Sequence, residues 1–150
     1  MDSIEANTWH HDWEWSLPLV VLTVVIHVLA LERVNYSVVR PLSGAMKRGH
    51  FRPMFVFIIG TTSLLITILH GIEGAIWAGA YRLLGAIPDY RSAMLYSLSA
   101  LTSYGNSNVS LQGDWQLMGA VEALNGMMLL GLTTAFLFAF IQRAWPSDRR

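Results

Sequence analysis

Cysteine is absent from this chain, and its absence excludes disulfides, thiol catalysis and thiolate metal sites together. Charge is also scarce. Only 13% of the 150 residues are charged, where a soluble domain carries about a quarter. The net charge is zero, so no bulk field draws the chain towards nucleic acid. No Lys or Arg precedes the first apolar stretch, whose approach is acidic (Asp2, Glu5, Asp12, Glu14). A signal peptide needs a basic start, so that stretch is expected to be retained. The same stretch lacks the repeated Arg of a voltage sensor. No internal repeat, low-complexity tract, dense ligand motif or evident nucleophile is present, which argues against an enzyme.

What the chain has instead is long apolar runs. Hydrophobic residues make up 53% of it and the mean hydropathy is +0.42. A spanning helix needs roughly 20 mostly apolar residues, so at most about three or four spans fit. The first apolar segment is Leu17 to Leu31, with a helix that can extend to Val39. Trp9, Trp13 and Trp15 precede it and suit the aromatic belt at a membrane surface. A second segment, Met54 to Tyr81, contains no Lys, Arg or Asp, and a third runs from Leu117 to Gln142 with Glu122 as its only charge. Between these lies Pro88 to Thr102, whose apolar part is too short to span and therefore reads as re-entrant or buried. Pro88 and Asp89 suit its helix N-terminus.

The basic residues set an orientation. Five lie between Arg33 and Arg52 and three at the C-terminal end (Arg143, Arg149, Arg150), against two between residues 82 and 117. The positive-inside rule places the first loop and the C-terminus in the cytoplasm and the N-terminus outside. Three spans and one re-entrant hairpin satisfy that arrangement.

The run Tyr96-Ser-Leu-Ser-Ala-Leu-Thr-Ser-Tyr-Gly-Asn-Ser-Asn108 carries the functional signal. A short helix followed by a Gly-bearing loop, flanked by two spanning helices, can line a pore with backbone carbonyls. Irregular backbone at membrane depth must be buried in protein or face water. Three spans cannot enclose a pore, so a symmetric oligomer is implied. The short helix would aim the negative end of its dipole at the cavity, which favours a cation.

This stretch, with the helix after it, resembles the pore domain of tetrameric potassium channels in their two-helix form. Thr102-Ser-Tyr-Gly-Asn-Ser-Asn108 falls without gaps on that family's Thr-Thr-Val-Gly-Tyr-Gly-Asp filter. Trp115, Glu122-Ala-Leu-Asn-Gly126 and Thr133-Thr-Ala-Phe-Leu-Phe138 fall on its inner helix, and the likeness reaches back more weakly to Met54. The resemblance covers about two thirds of the chain and leaves the first helix as an addition. It implies ion-binding positions at Thr102, Ser103, Tyr104, Gly105, Asn106, Ser107 and Asn108. It also implies a bend at Gly126, cavity positions at Met127, Leu130 and Thr134, and a constriction at Phe138.

The filter departs from the family pattern. Tyr104 stands at the Val position, Asn106 replaces Tyr, Ser107 replaces the second Gly and Asn108 replaces Asp. The upper carbonyl ring then gives way to amide oxygens of Asn106 or Asn108, while the Thr102 hydroxyl and the Ser103 and Tyr104 carbonyls can form lower sites. Such a filter resembles those of weakly selective cation channels.

Other polar residues carry further expectations. Glu122 lies at membrane depth, where an ionised carboxylate costs about 3 kcal/mol or more unless partnered. It is expected to brace the short helix from behind through Ser99 or Thr102. His70 and Glu73, three apart, share a helical face and read as a hydrogen-bonded pair facing the short helix. As a proton or metal site the pair would need ligands from His10, His11 or another subunit. His27 reads as a satisfied polar residue. Gly126 and Gly131 serve equally as close-packing positions.

The expected fold is an all-α membrane protein with three transmembrane helices plus a re-entrant pore helix and filter loop. Its parts are an extracytoplasmic segment (1–16), an added helix with a basic cytoplasmic loop (17–52), a pore domain (53–145) and a cytoplasmic tail (146–150). The expected function is a homotetrameric inner-membrane channel for monovalent cations, potassium and sodium with weak discrimination. It would work among membrane lipid, without cofactor or nucleic acid. The alternative is a non-conducting channel-like subunit or scaffold, motivated by Asn106 and Ser107.

Overall fold

The computed structural model describes residues 2–41, 51–105, 109–111 and 115–144. Asn106, Ser107 and Asn108, most of the first basic loop and the last residues, with Arg149 and Arg150, lie outside these. Among the described residues the chain is helical, without strands. Helix α1 runs Asp2–Val34 and passes into a wider π-type turn at Asn35–Val39. Helix α2 is Phe51–Leu83, α3 is Tyr90–Leu101 and α4 is Gln116–Ala144. Three stretches, His10–Val39, Arg52–Leu83 and Gln116–Arg143, are long and apolar enough to cross a membrane. The chain is therefore read as a multi-pass membrane protein.

Helix α1 begins fifteen residues before the apolar run that announced it, at Asp2 rather than Leu17. No Gly or Pro interrupts residues 2–17. Trp13 and Trp15 thus stand on the helix itself, exposed. Pro18 is carried inside, at the loss of one backbone donor.

The burial pattern of α1 is inverted relative to a soluble helix. Its buried face is polar, with Asp12, Ser16, Thr23 and His27 enclosed, while Val21, Leu22, Val25, Val28 and Leu29 are exposed. Ionisable groups in a membrane turn to the bundle interior, and apolar side chains face lipid. Helix α2 encloses Thr62 and Glu73 among apolar residues such as Ile58 and Trp77, while Val56, Phe57, Leu64, Ile68 and Ile72 are exposed. An apolar exterior, with the polar side chains of these helices turned inward, supports membrane residence independently of hydropathy.

Helix α2 ends in a turn with Gly85 at φ +70, and the Arg82 guanidinium bonds the Pro88 carbonyl across it. Asp89 then caps α3, its carboxylate accepting from the Ser92 backbone N–H at 2.9 Å. Ser92 thereby holds the Asp89 carboxyl below the usual aspartate range. Helix α3, 12 residues long, cannot span a bilayer; it lodges between α2 and α4. Ala93, Ser97 and Leu101, at four-residue spacing, are its buried face. Around its start, Trp77, Tyr81, Met118 and Val121 form the larger apolar core. Helix α1 packs on α4 and α2 of its own chain.

Candidate functional site

The C-terminal end of α3 closes on itself. The Ser103 N–H donates to the Ala100 carbonyl at 2.9 Å, and the Tyr104 N–H donates to the Ser99 carbonyl at 2.9 Å. This is the paired bonding of a Schellman cap, which needs a left-handed residue just past the helix. Ser103 fills that position at φ 53, where glycine is usual, and Gly105 follows at φ 70. The hydroxyls of Ser99 and Thr102 bond back to the Leu95 and Leu98 carbonyls, each at 2.7 Å. Thr102, Ser103, Tyr104 and Gly105 are all exposed on the chain, Tyr104 at 86%.

Glu122 is fully buried on α4. Its Oε2 accepts from the Tyr81 hydroxyl at 2.6 Å, and its Oε1 accepts from the Ser97 hydroxyl at 2.5 Å. The same Ser97 oxygen stands 2.8 Å from the Gly74 carbonyl. These are short hydroxyl–carboxylate distances, the stronger kind of hydrogen bond. The expected partners, Ser99 and Thr102, are not the ones bonded. Ser97 lies on the buried face four residues from Ala93 and Leu101, whereas Ser99 is two residues further round the helix. Glu122 nonetheless ties α2, α3 and α4 at one point.

Gly126 lies against the last turn of α3. A Cβ there would come within 2.6 Å of the Leu101 Cα, so no other residue lets the two backbones approach so closely. Gly119 likewise abuts the Tyr96 ring, with a Cβ position 3.1 Å from its Cζ. Met127, Leu130, Thr134 and Phe138 lie on an exposed face of α4, turned away from the other helices of the chain. Gly131 is exposed there too, with open space around its Cβ position.

A second polar group ties three helices. His70 Nδ1 lies 3.1 Å from Glu73 Oε2, so the two meet as the three-residue spacing predicts, at ion-pair distance rather than as an aligned hydrogen bond. The pair faces away from the expected direction: its further partners come from α1 and α4. His27 Nδ1 is 2.8 Å from Glu73 Oε1, and Thr133 Oγ1 is 3.1 Å from His27 Nε2 and 3.4 Å from His70 Nε2. His27, expected as a satisfied polar residue, is one, bonded to Glu73 and Thr133; its place beside the His70–Glu73 pair was not foreseen. Its signal was its place on the four-and-seven spacing of polar residues in α1 (Asp12, Ser16, Thr23, His27), which marks an inward stripe. One step along, Asn125 donates to Thr23 at 2.7 Å. His10 and His11 are exposed, and His11 pairs with Glu14 at 3.6 Å instead. No family model, no curated protein and no solved structure matches this chain.

Proposed function

We propose that this chain is the pore-forming subunit of a homotetrameric inner-membrane channel for monovalent cations, weakly selective between potassium and sodium. The observation that carries the reading is α3: 12 residues, too short to span, lodged between two spanning helices and ending in an exposed loop. Backbone of that kind at membrane depth needs a protein-lined aqueous space. The helix aims its negative end at that loop, which suits a cation. Glu122, through Ser97 and Tyr81, holds the short helix from behind. The exposed face of α4 mixes Gly131 and Thr134 with Met127, Leu130 and Phe138, a composition suited to a cavity wall between subunits. In this assembly Gly126 is the bending point and Phe138 the constriction. The N-terminus lies outside and the C-terminus in the cytoplasm.

One observation favours the second reading, a non-conducting subunit. The Tyr104 and Gly105 N–H groups both bond the Ser99 carbonyl, at 2.9 and 3.4 Å, so the start of the loop is spent on capping α3. Reversal potentials of reconstituted protein, with potassium on one side and sodium on the other, separate the possibilities. Clear current reversing near zero supports a weakly selective pore, and a strong shift towards the potassium potential means that Thr102 to Gly105 still discriminates. Persistent silence of folded tetramers transfers the reading to a scaffold.

A further inference from the structure

The pore reading leaves His27, His70, Glu73 and Thr133 unused. Glu73 and His27 are fully enclosed, and among the described residues the basic partners of Glu73 are the two histidines alone. Glu73 Oε2 lies 3.1 Å from His70 Nδ1, within ion-pair distance, yet no donor is aligned with it as a hydrogen bond. A buried carboxylate oxygen without a donor calls for a cation. The two imidazole rings stand 5.3 Å apart, centroid to centroid. Both Nε2 atoms converge on the Thr133 hydroxyl, whose oxygen has two lone pairs and can accept from both N–H groups at once. A cation bound between them would select the tautomers with the protons on Nε2, turning both Nδ1 lone pairs to the ion; without an ion, His27 Nδ1–H donates to Glu73 Oε1 at 2.8 Å.

We propose that these side chains form an intramembrane site for a divalent transition-metal ion of the zinc class. His27 Nδ1, His70 Nδ1 and the Glu73 carboxylate are the ligands, and Thr133 fixes the two rings from behind. The three ligand groups already place one atom each within 4.8 Å of one another. Zinc bonds of about 2.0–2.1 Å in tetrahedral geometry set neighbouring ligand atoms at about 3.3 Å, so the ligand atoms draw together by at most about 1.5 Å to complete the site. Two imidazoles and one carboxylate form a donor set that suits zinc, cobalt or nickel rather than magnesium or calcium. Three protein ligands leave a fourth position for water. The open side is at His70, whose side chain is 22% accessible while that of Glu73 is 0%. The ion would staple α1 to α2, with α4 held through Thr133, and this assignment stands whether or not the chain conducts.

The test is calorimetric titration of the full chain in detergent with Zn2+, accompanied by the visible spectrum of the Co2+ form. The expected result is one ion per chain, a spectrum of tetrahedral nitrogen and oxygen coordination, and a melting temperature raised by Zn2+. Glu73→Gln and His27→Gln should abolish the site. Thr133→Val keeps every ligand and should weaken binding by about 10–100-fold, as loss of a ligand-orienting group does. A His10→Gln, His11→Gln double variant should leave binding unchanged, which separates the site from surface histidines. If folded wild-type chain takes up neither metal, or if Glu73→Gln binds as before, the proposal is overturned. The cluster is then a hydrogen-bonded network that joins helices without an ion. Should the ligand variants fail to fold, the wild-type titration and Thr133→Val still decide.

Discussion

Glu122 concentrates on one side chain what holds α3 in place. Tyr81 comes from α2, Ser97 from α3, and the Ser97 oxygen also reaches the Gly74 carbonyl of α2. Glu122→Ala should cost about 1–3 kcal/mol, since the buried Tyr81 hydroxyl loses its partner while the Ser97 hydroxyl can still donate to the Gly74 carbonyl. Glu122→Gln keeps the geometry: its amide oxygen can accept from Tyr81 and its amide N–H can donate to Ser97. Its cost should stay within about 1 kcal/mol. Unfolding midpoints of the two variants in mixed detergent check this, and equal losses would show that the negative charge itself is required. The importance of Glu122 was legible in the sequence, because a lone carboxylate in an apolar helix must find partners. Which hydroxyl it finds was not, because that depends on the rotation of α3 about its own axis.

At the level of elements, α3 shows how a short helix ends inside a membrane protein. Its Schellman cap places Ser103 at φ 53, and a side chain in that conformation costs about 1–2 kcal/mol relative to glycine. Ser103→Gly should therefore raise the unfolding midpoint by the equivalent of about 1 kcal/mol. An unchanged or lowered midpoint would mean that the Ser103 side chain makes a compensating contact. The close seat of Leu101 on Gly126 gives the same element its depth. The existence of α2, α3 and α4 followed from apolar run lengths and from the Pro-Asp start of α3. The true start of α1 did not, since residues 2–16 contain no long apolar run, and run length alone does not reveal a helix there.

For the molecule as a whole, the exposed face of α4 is the decisive surface. Because the chain has no cysteine, one introduced thiol is a unique reporter. In reconstituted protein, Leu130→Cys and Thr134→Cys should react with a charged, water-soluble thiol reagent and block the current. Leu129→Cys, at a position fully buried within the chain, should resist. Inert thiols at both 130 and 134 would mean that this face packs against lipid or protein, and would remove the cavity from the proposal.

Hydropathy and run length by themselves determined that the chain is helical, crosses a membrane and carries one segment too short to do so. The reason is that lipid forces each spanning stretch to satisfy its own backbone, which writes the spans directly into composition. Tertiary structure alone decided the pairings: Glu122 with Ser97 rather than Ser99, and His70 and Glu73 with His27 and Thr133 across three helices. His27 and Thr133 are separated by 106 positions. Such contacts depend on which neighbour each inward face meets and at what height, and periodicity within a single helix marks the inward face without recording its partner.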